Sequence, residues 1–405
     1  MFNDKRKYLE YGALTVVTIL GFLYLMSMLL GFEIMDVNNY NTYALQADSW
    51  RQGRLDLGQD YPWLELAIYN GKYYCSFPPF PSYLLFPLTF IWGSQTPDFW
   101  VMILIDIVAT VYLYKLAVKL GCREEAAMLL TVFVTLGANT MFVMVSPWVW
   151  FMAQMLCFAT AVMAIYYAVC GKGGLALFFW AASVGCRPMQ IVFLPILLML
   201  LYQKERTKDT TTASVKLVLR RWYWAVPMGG LALSYMLLNY LRFGSITEFG
   251  RKYLPEFMRE EKGQFHIDYL KQNLPSLFRL PQFGEDGRMI INHFGDLSLL
   301  IVSPIVVMAL VGLVYMIICK ENGKAAVGAL IVVLSAVYLV IIALHRTLGA
   351  WQFGNRYAID ILPYIYLFVG IVTARKPGFE KYCMPLCVFG VCLNMVGTVI
   401  VYNGL

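Results

Sequence analysis

Charge is what this sequence has least of. Only 14% of its 405 residues are Asp, Glu, Lys or Arg, against about 25% in a soluble domain. So few charges cannot cover a water-facing surface, and with 60% of residues hydrophobic most of that surface must face lipid. Histidine is scarce as well: His266, His293 and His345 are the whole set. There is no HExxH, no P-loop and no Cys/His cluster at metal-ligand spacing, which argues against a zinc hydrolase and against an ATP-driven pump. The nine cysteines (Cys75, Cys122, Cys157, Cys170, Cys186, Cys319, Cys383, Cys387 and Cys392) form no CxxC pair. Most sit inside apolar runs, where a free Cys packs as a small hydrophobe. No fixed-period repeat and no low-complexity stretch is visible.

What is present is a succession of long apolar runs. A membrane span needs about 20 mostly apolar residues. The candidates are 8–32, 99–118, 125–145, 148–170, 173–186, 189–203, 222–241, 297–319, 325–344, 358–374 and 381–402. The pattern predicts an all-α, polytopic membrane protein of about eleven spans forming a single transmembrane domain over 1–405. Lys5-Arg6-Lys7 precede a first run that is long for a signal peptide and lacks a small-residue cleavage site, so it reads as a retained span. The runs around 173 and 189 are short and meet at Arg187-Pro188.

The net charge of +7 is a topology signal rather than a nucleic-acid one, because the basic residues sit at the ends of apolar runs. With the N-terminus inside, every short inner segment is basic: Lys115, Lys119 and Arg123; Lys172; Lys204 through Arg221, including Lys208 and Lys216; Lys320 and Lys324; Arg375, Lys376 and Lys381. This is the positive-inside pattern. It puts the C-terminus, all three histidines and the longer polar loops outside, and it suits a bacterial inner membrane.

Three outer segments carry most of the polar residues. In 33–98, residues 40–53 are amphipathic, with Tyr40, Tyr43, Ala44, Ala47 and Trp50 at helical spacing. Asn70-Gly71 reads as a hairpin turn. Phe77-Pro78-Pro79-Phe80-Pro81 leads into an apolar helix, 82–93, too short to cross and therefore interfacial. The second segment, 242–296, holds Glu248, Tyr253, Glu256, His266 and Asp296. The third runs from His345 to Tyr357. Outer-interface aromatics such as Trp50, Trp63, Trp148, Trp150 and Trp351 fit belt anchoring, with sugar stacking as the alternative for one or two.

Ionisable groups at membrane depth are costly and mark function. Asp106 lies in the middle of its run, where a structural pairing with Arg187 is the expectation. Arg356 stands at the mouth of the tenth span with Asp360 four residues on. The two are spaced to pair on an α-helix; the alternative is that Arg356 binds an anion, since guanidinium groups grip phosphate bidentately. Asp36, Asp48 and Glu65 in the first outer segment are either solvated loop acids or, in a semi-enclosed cavity, a general base.

The layout resembles the GT-C glycosyltransferases, and within them the bacterial proteins similar to protein O-mannosyltransferases. Three stretches carry the likeness. One is Tyr43-Ala44 through Gly53-Arg54-Leu55, with Tyr69-Asn70-Gly71-Lys72-Tyr73-Tyr74 and Phe77-Pro78-Pro79. The second is Phe243-Gly244-Ser245 with Glu248-Phe249-Gly250 and Tyr253. The third is Trp351-Gln352-Phe353-Gly354-Asn355-Arg356-Tyr357 with Asp360 and Pro363. The resemblance implies a GT-C-like bundle and transfer of a sugar from a polyprenyl-phosphate donor at the outer face, with inversion. It implies an acceptor that is a glycan, a lipid or a protein, with membrane lipids as surroundings and no nucleic-acid partner. Mapped residue by residue, it makes Asp36 the first base candidate, with Glu65 and Asp48 as substitutes. Arg356 is the first ligand for the lipid phosphate, with Arg187 second and Tyr357 beside them. No cofactor is implied; a divalent metal is compatible with the outer carboxylates, but no spacing demands one. The chain departs from the family at Asn39, where an acidic residue often precedes Tyr-Ala by four positions. That departure keeps two other readings open: a flippase or transporter of lipid-linked saccharide, and a non-catalytic scaffold of the same fold.

Overall fold

The computed structural model describes residues 2–206, 220–285, 287, 289–292 and 297–404. Lys208, Lys216, His293 and Asp296 lie outside the described residues.

The first helix, α1 (Phe2–Leu30), spans 29 residues, roughly 43 Å at 1.5 Å per residue. The first outer segment follows it. Helix α2 (Thr42–Arg51) buries Tyr43, Ala44 and Ala47, the face its spacing predicted. Strands β1 (Leu66–Tyr69) and β2 (Lys72–Cys75) pair antiparallel through Asn70 and Gly71, both at positive φ (49° and 71°), the geometry a two-residue hairpin loop requires. The short helices α3 (Phe80–Leu85) and α4 (Thr89–Trp92), joined by a 3₁₀ turn, occupy the expected interfacial stretch.

The bundle continues with α5 (Asp98–Leu120), α6 (Glu124–Thr135), α7 (Thr140–Met144), α8 (Val149–Val169), α9 (Gly173–Val184), α10 (Leu194–Arg206) and α11 (Ala225–Phe243). The second outer segment contains α12 (Pro255–Met258), α13 (Ile267–Ser276) and a second small hairpin, β3 (Gln282–Phe283) with β4 (Met289–Ile290). Then come α14 (Leu299–Val302), α15 (Ile305–Ile318), α16 (Asn322–Ala343), α17 (Leu362–Arg375) and α18 (Glu380–Asn403). Helix α8 packs against α5, α9, α10 and α17 and forms the centre of the bundle. Helices α1, α16 and α18 expose rows of large apolar side chains, among them Val17, Leu25, Val333 and Val388. Such rows, on helices long and apolar enough to cross a membrane, fit a surface that faces lipid.

The protein is thus an all-α, multi-pass membrane protein. Six helices among the described residues are long and apolar enough to cross a membrane: Lys5–Leu30, Asp98–Leu120, Val149–Val169, Asn322–Ala343, Arg356–Arg375 and Glu380–Asn403. The other expected spans are shorter, broken or, like Ala225–Phe243 with its 19 residues, less apolar, so the structure supports six such helices and not the full figure of about eleven. The run 125–145 breaks between α6 and α7, where the Asn139 amide N–H donates to Ser303 Oγ at 3.1 Å. The run 297–319 breaks before Pro304, which has no N–H to extend a helix.

The two ends of the bundle differ. At one end Tyr8 packs on Tyr114, and Arg123 meets Glu380. At the other, Phe32 packs on Tyr402, Tyr40 on Trp148, and Phe265 bridges to His345. All three outer segments converge on this second end. Strand-like bonds from His266 N–H to the Leu344 carbonyl and from Arg346 N–H to the Gln264 carbonyl, both 2.9 Å, tie the second segment to the end of α16.

Candidate functional site

A cavity of about 360 Å³ opens at this end. Its walls come from all three segments that carried the sequence resemblance: Tyr43, Phe77 and Pro78 from the first; Glu248, Phe249 and Arg251 from the second; Arg356 and Tyr357 from the third. The break between α9 and α10 adds Arg187, Pro188 and Met189, and α16 adds Ile341 and Ile342.

Local sequence explains how each cation reaches the cavity. Arg187 precedes a proline and is therefore held extended (φ −141°, ψ 103°), so its side chain leaves the helix line. Arg356 opens a 3₁₀ turn, Arg356–Ile361, that leads into α17. That turn settles its relation to Asp360. At three residues per turn, positions four apart do not stack as they do on an α-helix, and of the two readings left open for Arg356 the pair with Asp360 does not form among the described residues. Asp360 instead accepts from Arg187, from the Tyr338 hydroxyl at 2.6 Å and from Gln154 Nε2 at 3.3 Å. Gln190 donates to the Asp360 carbonyl at 3.0 Å and accepts from the Tyr364 hydroxyl at 3.0 Å. This buried network fixes Arg187 and neutralises it.

Arg356 is different. It is 4% exposed, and its Nε has no hydrogen-bond partner among the described residues. Among the described residues no carboxylate forms an ion pair with it. Its guanidinium lies 5.5 Å from the Phe151 ring centroid and 4.9 Å from that of Tyr357. Arg187 lies 4.7 Å from the same Tyr357 ring, so one aromatic ring holds both cations by cation–π attraction. Gly349, at φ +99°, leaves room for the group: a Cβ there would sit 3.0 Å from Arg356 Nε. Burying an ion costs several kcal/mol even after relaxation. A guanidinium held in a cavity without a counter-charge is a place for an anion.

The three candidate carboxylates fall in different surroundings. Asp36 accepts the Glu33 backbone N–H at 3.0 Å and does not line the cavity. Asp48 is buried and committed to Arg51 (2.7 Å) and to Gln52 (2.7 Å). Glu65 is partly buried, and its charge acts on Arg356 and on Glu256. The carboxylate that does line the cavity is Glu248. It accepts the Gly250 N–H at 2.6 Å and meets Lys252 at 3.6 Å. Asp106 does not pair with Arg187: both its carboxylate oxygens are buried without a hydrogen-bond partner among the described residues.

His345 closes one side of the cavity. Its ring Nδ1 sits 2.7 Å from the Thr347 carbonyl and its Nε2 lies 3.2 Å from Gln264 Nε2. Burial, then the positive charge of Arg251, push it down to about 4, so it is neutral at physiological pH. Tyr338, Gln154 and Gln190 gave no signal in the sequence, since each is one polar residue within an apolar run. Arg251 had a weak one, its place directly after Glu248-Phe249-Gly250. Among the described residues no cluster of three or more His, Cys, Asp or Glu is arranged to hold a metal ion.

No family model matches the chain, and no curated protein does. Solved structures do. The apo oligosaccharyltransferase of Archaeoglobus fulgidus aligns with a TM-score of 0.50 and 10% identity over 98% of this chain and 56% of its own. A second structure, archaeal oligosaccharyltransferase AglB from Archaeoglobus fulgidus in complex with an inhibitory peptide and a dolichol-phosphate, aligns at 0.49 and 9% over 100% and 56%. The chain therefore spans a little over half the length of these proteins. At such identity the likeness is one of fold alone: the bundle resembles that of the archaeal oligosaccharyltransferase and does not single out the protein O-mannosyltransferase branch.

Proposed function

We propose that the chain transfers a sugar from a polyprenyl-phosphate donor to an acceptor hydroxyl, at the extracytoplasmic face of the membrane. The observation that carries this reading is Arg356, a buried guanidinium without an ion pair among the described residues, in a cavity walled by all three outer segments. The donor phosphate pairs with Arg356, with Arg187 and Tyr357 beside it. The lipid tail leaves along Ile341, Ile342 and Met189 into the bilayer. Of Asp36, Asp48 and Glu65, the base is Glu65, since Asp48 is bound to Arg51 and Gln52 and Asp36 accepts the Glu33 N–H.

In the reaction, Glu65 takes the proton of the acceptor hydroxyl as its oxygen attacks the anomeric carbon. The bond from that carbon to the phosphate oxygen breaks, and the lipid phosphate leaves with the electron pair, its charge held by Arg356. Attack opposite the leaving group inverts the anomeric centre. The orientation, with the cavity outside, rests on the basic residues gathered at the other end of the bundle.

The test is transfer of labelled sugar from synthetic polyprenyl-phosphate donors by protein in nanodiscs. Arg356→Ala is expected to weaken donor binding by roughly a hundredfold, as for loss of a buried charge-assisted contact. Glu65→Gln is expected to cut turnover by about 10²–10⁴ while donor still binds. Donor binding that ignores Arg356 sinks the proposal. A second reading, a donor-binding protein without transferase activity, is favoured by one observation: none of Asp36, Asp48 and Glu65 lines the cavity. It predicts Arg356-dependent binding and no turnover with any donor.

A further inference from the structure

Arg356 is not the cavity's one cation lacking an ion pair. Arg251, on the wall contributed by the second outer segment, also lines it. Its Nε is buried without a hydrogen-bond partner among the described residues. Two rings hold the guanidinium, Phe77 with its centroid at 5.7 Å and Phe257 at 5.5 Å. Glu65 and Glu256 belong to the same electrostatic neighbourhood, yet no carboxylate forms an ion pair with Arg251 among the described residues.

The backbone is built to present this side chain. Arg251 opens a short 3₁₀ turn directly after Gly250. Gly250 adopts φ +103°, and a Cβ there would come within 2.9 Å of the Phe243 ring and 3.1 Å of Ala67, so glycine alone fits both the angle and the space. Glu248 caps the same turn through the Gly250 N–H. The one acid in the cavity wall thus positions the turn, and Lys252 offsets its charge.

Counting charges by their partners, Asp360 neutralises Arg187 and Lys252 neutralises Glu248. Arg251 and Arg356 remain, on different walls of one cavity. A ligand with a single phosphate answers one of them. We propose that the cavity binds a ligand with two separate anionic groups, the second of them held by Arg251. This rests on the donor-binding reading above and narrows its substrate class. The second group has two chemical sources: the other phosphate of a diphosphate linkage, or a carboxylate on the transferred sugar. Arg251 is a specificity-determining residue in either case.

The test measures binding of three probes to protein in nanodiscs: a short polyprenyl phosphate bearing a neutral hexose, the polyprenyl diphosphate of the same hexose, and a polyprenyl phosphate bearing a hexuronic acid. The wild type is expected to bind one of the two doubly anionic probes at least tenfold more tightly than the first, the usual worth of one charge-assisted contact. Which one it prefers identifies the source. Arg251→Gln is expected to erase the preference and Arg251→Lys to keep part of it, which separates loss of charge from loss of fold. Equal binding of all three probes by the wild type, or a preference that survives Arg251→Gln, overturns the inference. In either case a dependence of the neutral probe on Arg356 leaves the donor-binding reading standing. Failure of all three probes to bind removes both.

Discussion

The two ends of the bundle use charge in opposite ways. At the basic end, cations find acids near the surface: Arg123 with Glu380, Arg221 with Glu205, Arg375 with Glu321, and Lys324 with Glu321. The Arg123 side chain is 64% exposed. Such pairs are screened by water and contribute little; their work is to anchor and orient the bundle. The cavity end has exposed pairs too, such as Lys72 with Asp56 and Lys262 with Asp268, but there some cations also line a cavity. Arg187 meets an Asp360 side chain that is 1% exposed, while Arg251 and Arg356 have no ion-pair partner among the described residues. The difference teaches that depth, rather than the number of charges, marks the site. A cation in water needs no reason to be there, whereas a buried one must be paired, be costly, or await a ligand.

The contrast can be broken most directly at Asp360. Asp360→Asn leaves Arg187 buried without its counter-charge and is expected to cost about 3–5 kcal/mol, read as a lower unfolding midpoint in detergent. A loss below about 1 kcal/mol would place this pair with the surface ones and end the distinction.

His345 gives the next largest effect. Burial and Arg251 hold it at about 4, against an ordinary 6.5. Between those values the unfolded chain binds a proton that the folded one does not. Stability is therefore complete above pH 6.5 and falls as pH drops towards 4, by about 3 kcal/mol from this residue. The difference between wild type and His345→Gln, followed from pH 7 to pH 4, should show that slope. A difference that stays flat would mean that the ring is open to water.

The smallest effect belongs to the basic end. Arg123→Ala is expected to change stability by no more than about 1 kcal/mol and to leave donor binding unchanged. A loss as large as that of Asp360→Asn would show that the exposed pairs carry the bundle after all.

Much of the frame was legible in the residues. The break at Arg187-Pro188, the Asn70-Gly71 hairpin, the buried face of α2 and the short helical stretch after Pro79 all appear where expected, because each depends on residues within a turn or two of one another. The broken runs at 125–145 and 297–319 were read as continuous, since hydropathy averages over a window and passes across a single Pro304 or Asn139. At the site, the three stretches that carry the resemblance do line one cavity, but the residues alone left the pairing within it open. Arg356 and Asp360 looked like partners on an assumed α-helix, and the 3₁₀ turn separates them. Asp106 was matched to Arg187 only because both were charged and deep.

What the sequence determined by itself is the solvent and the order of parts: lipid around the apolar runs, basic residues gathered at one end, polar segments at the other. Those are properties of local composition, and the bilayer reads them locally. Which cation is neutralised and which stays free was decided only by the tertiary structure. Arg187 and Asp360 are 173 residues apart, and whether two such groups meet depends on how helices far apart in the chain pack together. Coulomb attraction and desolvation act on the distances that result, and the spacing of residues along the chain does not contain them.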